Sequence, residues 1–313
     1  MLHMRVIAPA ERSAEVRELL LAEPGATHVV VLPGAALQPP GDVIEADVAR
    51  ESVDGVLTGL CELGVDRAGG VTLEALDTTL SDAADAAEEA APGEGLDAVI
   101  WDEVVARTGE ESRFSVSYQA FLTIACLLAA IGAITDSPVT VVGAMVLGPE
   151  FGPLAAVAVG LVLRRGDLVR RGAFALAAGF PLAMAVTAVG ALILDLTGLL
   201  TTAGLDQLNQ VDFIYDVGPF SLIVALLAGA AGMLSLTSAK SAALVGVFIS
   251  VTTVPAAAFA SVAFVEGHYE RALQSAAQLV INLVGIVIAA AAVLLVSRWN
   301  QRRGRGLRPL SAG

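Results

Sequence analysis

The sequence predicts an α-helical membrane protein of six spans, built as two three-helix repeats, preceded by a small α+β domain. Three observations predict it. The 313 residues are 56% hydrophobic and mean hydropathy is +0.74, too apolar for an ordinary soluble chain. Charge is unevenly placed: residues 1–113 hold 23 Asp/Glu against 7 Arg, whereas residues 114–313 hold 9 Asp/Glu against 11 Lys/Arg. Two long apolar stretches, 136–165 and 240–265, carry glycine, proline and polar residues in one shared order.

The acidic part comes first. Met4–Ala8 reads as a strand. Ser13–Leu21 reads as a helix, with Val16, Leu19 and Leu20 at helical spacing. His28–Leu32 is a strand stopped by Pro33-Gly34, and Val43–Val48 is another. Val53–Leu63 is a helix with Val56, Leu57, Leu60 and Leu63 on one face, and Gly70–Leu76 is the last strand. The order βαββαβ is ferredoxin-like. Nucleic acid is excluded as a partner, because the domain is acidic and holds no Phe, Tyr or Trp for stacking bases. The sheet has one face without a helix, which predicts self-association, with a homodimer favoured. The expected boundaries are 1–80 for this cytosolic domain and 81–116 for an acidic linker with an amphipathic helix over Asp97–Thr108. The membrane domain follows over 117–298, and a basic tail over 299–313.

Six stretches are long and apolar enough to cross a bilayer: Tyr118–Thr135, Ser137–Leu163, Ala173–Leu194, Pro219–Leu236, Ser241–Val265 and Ala272–Val296. Arg164, Arg165, Arg170 and Arg171 lie between the second and third. Lys240 lies between the fourth and fifth, and five arginines follow the sixth. Only acids, Asp206, Asp212 and Asp216, charge the segment between the third and fourth. Positive charge faces inward, so both termini are expected in the cytoplasm, with Arg271 the one exception. Tyr118, Tyr215, Tyr269 and Trp299 stand at span ends, where an aromatic belt would lie.

The two breaks are the chemical core of the reading. Gly148, Pro149, Gly152 and Pro153 interrupt the second span around Glu150, and Pro255 interrupts the fifth. Proline removes a backbone donor, and a break at membrane depth persists only against protein or a wet cavity. Val142-Gly143 and Val245-Gly246 recur in order, as do Asp136-Ser137 and Lys240-Ser241. Three spans per half is an odd number, so the halves must be inverted. Inverted repeats with matched broken helices are typical of secondary transporters. The candidates for binding a solute or ion are Ser137, Gly148, Pro149, Glu150, Gly152, Pro153, Ser241, Thr252, Thr253, Pro255, Gln278 and Asn282. Glu150, Asp136 and Lys240 are the charged candidates for coupling, although Asp136 also suits a helix cap and Lys240 an ordinary inward-facing loop. Gly229-Ala230-Ala231-Gly232 reads as a packing surface.

The run S-P-V-T-V-V-G-A-M-V-L-G-P-E-F-G-P, the later T-T-V-P and Asn282–Val284 resemble the uncharacterised hydrophobic domain family of bacterial and archaeal membrane proteins, domain of unknown function 389. The resemblance implies a prokaryotic inner-membrane protein and brings no substrate. The chain departs from the family at Glu150-Phe151, where apolar residues are usual.

Enzymatic readings find no support. His3, His28 and His268 are scattered, no metal-ligand spacing occurs, and no phosphate-binding glycine loop precedes Lys-Ser/Thr. No cofactor and no metal are expected. The first reading is a transporter or channel for a small polar or ionic solute, held within the lipid bilayer, with protons or a cation as the candidate coupling ion. The alternative is a membrane sensor or assembly protein regulated through its N-terminal domain. Orientation is directly testable. A single cysteine placed at Asn209 should be labelled by an impermeant maleimide on intact cells, and one at Gly166 should be spared.

Overall fold

The computed structural model describes residues 1–91, 99–198, 219–237 and 253–306, the last six and Pro219 as backbone only. Met1–Glu103 group into one compact unit. Val104–Leu236, with the described residues up to Trp299, group into another.

The first unit contains β1 (Leu2–Ala8), α1 (Ser13–Ala22), β2 (Ala26–Leu37), β3 (Pro40–Val48), α2 (Arg50–Glu62), α3 (Val65–Ala68), β4 (Gly70–Ala75) and α4 (Asp82–Ala90). Alternation makes β1 a half-buried strand: Leu2, Met4, Val6 and Ala8 face the core. Helical spacing turns Val16 and Leu20 of α1, and Val53, Val56, Leu57 and Leu60 of α2, onto the same core. The sheet order is β2-β3-β1-β4 with every neighbour antiparallel, so the expected βαββαβ order is present.

Three local expectations need correction. Pro33-Gly34 does not stop β2, which continues to Leu37 across a register shift between Leu32 and Ala36. β2 is an edge strand, where a missing proline donor is tolerated. Gly34 takes a positive φ there, and its N–H donates to Asp42 Oδ1 at 2.7 Å. The Ala-rich linker contains α4, capped by Ser81, whose hydroxyl accepts from the Ala84 N–H. The amphipathic helix, α5, runs over Trp101–Glu111 rather than Asp97–Thr108, and it buries Val104 and Thr108.

The second unit contains α6 (Val116–Ile134), α7 (Pro138–Val146), α8 (Phe151–Leu163), α9 (Gly166–Leu196), α10 (Pro219–Thr237), α11 (Val254–Val265) and α12 (Tyr269–Gly306). Among the described residues four helices are long and apolar enough to cross a membrane: α6, α9, α10 and α12. α7 and α8 form a fifth candidate only as one span bent by 54°. α11 has 12 residues, too few to cross alone. The first half of the expected Ser241–Val265 span lies outside the described residues, which hold four of the six expected spans, or five with the bent pair. Lys240, Ser241, Thr252, Tyr215 and the segment 199–218 also lie outside them.

Close contacts give the helix directions. Tyr118 and Gln119 of α6 bond the carbonyls of Ala175 and Gly179 in α9, and Leu127 meets Gly190 further along both helices, so α6 and α9 are parallel. α8 runs antiparallel to α9, with Gly160 against Val169 and Gly172 against Pro153. α10 and α12 are parallel, with Ser221 beside Asn282 and Gly229 beside Ile286. A Cβ at Gly229 would overlap the Ile286 carbonyl, so the small-residue run is a packing surface as expected. Tyr118 is not a belt residue. It is buried, because its hydroxyl donates to the Ala175 carbonyl at 3.3 Å. Tyr269 and Trp299 are exposed. Pro181 lies inside α9 without ending it.

Ile100, at 1% exposure, packs into the sheet-and-helix core of the first unit. A fragment ending at residue 80 would lack it. A 1–103 fragment should therefore be more stable than a 1–80 fragment by about 2 kcal/mol, the worth of one buried isoleucine. Urea midpoints by circular dichroism measure this, and equal midpoints would contradict it.

Candidate functional site at the helix breaks

The first break begins at the end of α6. Ser137 N-caps α7, its hydroxyl accepting from the Thr140 N–H, and Pro138 occupies the first turn. Asp136 therefore does not cap this helix. It takes a left-handed φ of 46° immediately before the cap. α7 ends at Val146, and Gly148 and Pro149 carry the chain to Glu150, the N-cap of α8. Thr253 is the N-cap of α11, with Pro255 in the first turn, and the residues expected to precede it in the second break lie outside the described ones.

Neither N-cap residue uses its side chain on its own helix. They bond each other: Thr253 Oγ1 donates to Glu150 Oε1 at 2.6 Å, across 103 residues of sequence. Both residues are 0% exposed. The starts of two helices thus meet at one buried carboxyl. First-turn amides carry partial positive charge, which favours a carboxylate beside them. A carboxyl can also release that charge by taking a proton. Leu154 clusters with Ala225 and Ala228 of α10 and Ile286 of α12, and Phe151 and Leu283 pack against that cluster.

Gly152 and Pro153, expected as ligands, stand at close packing contacts. A Cβ on Gly152 would overlap Glu111 at the end of α5, and the Pro153 carbonyl lies against Gly172. Gln278 and Asn282 do come together. Gln278 Nε2 donates to Ser221 Oγ at 2.8 Å, and Ser221 Oγ donates to Asn282 Oδ1 at 3.2 Å. Sequence reasoning missed Ser221 and the buried Ser275, which stand at helical spacing along these faces. It also missed Arg298, whose guanidinium donates to the Val162 carbonyl at 3.0 Å, near the C-terminal end of α8.

The first unit holds a second polar cluster. His3 and His28 are not scattered: the Nδ1 of each bonds Asp47, at 2.8 Å and 2.7 Å, and His28 Nε2 meets Ser81 Oγ at 2.9 Å. Pairing of β1 with β3 sets His3 opposite Asp47. Burial alone would raise the Asp47 carboxyl, but hydrogen bonds and charge from His28 and His3 outweigh it and hold it below the usual range. Among the described residues no group of three His, Cys, Asp or Glu side chains could hold a metal ion.

Residues 145–288 match the model of a family described as a domain of unknown function, DUF389, so the chain resembles that family from the end of α7 into α12. The match takes in both N-cap residues and the Gln278–Asn282 face. No curated protein matches, and no solved structure does.

The Asp47 cluster has a definite pH signature. A carboxyl lowered on folding adds stability above its unfolded value, near 3.8, and the gain fades as pH falls through the lower folded value. Asp47→Asn should cost about 1 kcal/mol at pH 6, and the difference from wild type should shrink towards pH 3. Urea titrations at both pH values read this. A difference that does not change with pH would contradict it.

Proposed function

We propose that this chain is an integral membrane transporter or channel for a small polar or ionic solute. Its site lies where the two broken helices meet, with Glu150 coupling passage to a proton or a cation. The observation that carries the reading is the Glu150–Thr253 bond. An anchor gains nothing from two buried helix starts joined through an acid, whereas intramembrane acids ordinarily serve function.

An inverted repeat accounts for further regularities. The outer helices of each set are parallel, α6 with α9 and α10 with α12. Gln119 pairs with Gly179 in the first half and Ser221 with Asn282 in the second. From 119 to 221 is 102 residues and from 179 to 282 is 103, close to the 103 separating Glu150 from Thr253. Matched breaks at a repeat interface are where secondary transporters bind their solutes. Exposed apolar side chains such as Phe174, Leu192, Leu227, Leu273 and Ile288 suit contact with lipid. The arginine asymmetry orients the protein with both termini in the cytoplasm of a prokaryotic cell.

Glu150→Gln keeps the shape of the side chain and removes its charge and titration. In reconstituted vesicles screened for solute flux, the variant should fold and insert as wild type does. It should lose the pH or sodium dependence of flux, with the rate falling by tenfold or more. Unchanged dependence in the variant would overturn the role given to Glu150, and absence of flux for every solute class would overturn transport.

A further inference from the structure

The break is not the only polar place in the second unit. α12 contains an 18-residue stretch with a mean hydropathy of 2.9, and one face of the helix buries three polar side chains. Ser275, Gln278 and Asn282 are 0%, 4% and 0% exposed and lie one turn apart. Gln278 stands six residues into the stretch expected to cross the bilayer, about 9 Å along the helix from Ala272.

The bonding here is directional. Gln278 gives an N–H to Ser221, and Ser221 gives its O–H to Asn282. In this arrangement the amide nitrogen of Gln278 lies on Ser221. The other end of the amide, Oε1, is buried without a hydrogen-bond partner among the described residues, and so is Ser275 Oγ one turn away. Interhelical adhesion explains the Gln278–Ser221–Asn282 chain. It does not explain two buried oxygens left over beside it, since buried polar atoms are nearly always bonded.

What remains is a pair of neutral oxygens. Neutral oxygen ligands suit a hard ion of low charge, as carbonyl oxygens do in channel filters. A divalent ion ordinarily asks for carboxylates, and this face of α12 has none. We propose that Ser275 and Gln278 are ligands of a small monovalent cation, in a site distinct from the Glu150–Thr253 contact. This deepens the transport reading by naming the cation, and it rests on that reading for its purpose though not for its chemistry. Leu154, four residues after Glu150, shares an apolar cluster with Ile286 of the same helix, so occupancy here can act on α8 through apolar packing.

The test uses full-length purified protein in detergent, melted in matched concentrations of sodium, potassium, ammonium or N-methylglucamine chloride. At least one small cation should raise the melting temperature saturably over N-methylglucamine. Ser275→Ala, which removes a single oxygen, should weaken that effect about tenfold in apparent affinity. Gln278→Glu should strengthen it by adding charge, an outcome that a merely structural role would not produce. Gln274→Leu, on the exposed side of the same helix, should leave it unchanged. Identical melts in all four salts would overturn the proposal, as would a saturable shift that neither Ser275→Ala nor Gln278→Glu alters. Flux that depends on Glu150 without any cation effect would sink this inference alone. A cation effect without flux of any solute would sink the transport reading alone.

Discussion

The second unit depends on one constraint: a backbone broken among apolar helices must place its polar groups somewhere other than water. Pro149 and Pro153 in one break, and Pro255 in the other, remove donors the helices would otherwise need to satisfy. What remains polar is gathered at two helix starts, and one hydrogen bond between Thr253 and Glu150 links them. Leaving a buried acid without such a bond would cost roughly 1–3 kcal/mol or more. The contact therefore ties the position of α8 to that of α11, and a change of charge at Glu150 acts on both helices at once.

The surrounding helices are arranged to let the breaks approach. Small residues do most of this. Gly172 admits the Pro153 carbonyl, Gly152 admits the end of α5, and Gly229 admits the Ile286 backbone. Between them a core rich in alanine, from Ala125 to Ala133 in α6 and Ala256 to Ala263 in α11, keeps helix separations short. Without a strong hydrophobic drive between helices in lipid, such close packing is the main cohesive term. Arg298 adds a charged bond to the far end of α8. Both ends of that helix are thus held by side chains distant in sequence, at the start by Thr253 and at the end by Arg298.

Much of this was legible in the sequence, for identifiable reasons. Strand alternation and helical spacing gave the N-terminal domain its order. Hydropathy gave the long helices, and the Gly-Pro steps gave the first break with Glu150 inside it. Thr253 was legible only as one of several hydroxyls near Pro255. That it is the N-cap, and that its hydroxyl crosses to Glu150, depends on where α11 begins. Asp136 was misread as a possible cap because Asp and Ser both suit the role. That Gly152 and Pro153 stand at close approaches was not legible, because composition does not separate a close approach from a site. The His3–Asp47–His28 cluster needed strand register: the alternation of β1 and β3 held the signal, but only their pairing turns it into a contact.

The central claim is that the starts of α8 and α11 are held together by one bond between buried side chains. A double-mutant cycle tests it most directly. Glu150→Ala, Thr253→Val and the double variant of the full-length protein would be unfolded at equilibrium in mixed detergent micelles. The account predicts a coupling of about 1–3 kcal/mol, with the double variant less destabilised than the sum of the single ones. Effects that simply add would mean the two side chains do not depend on each other, and would contradict the account.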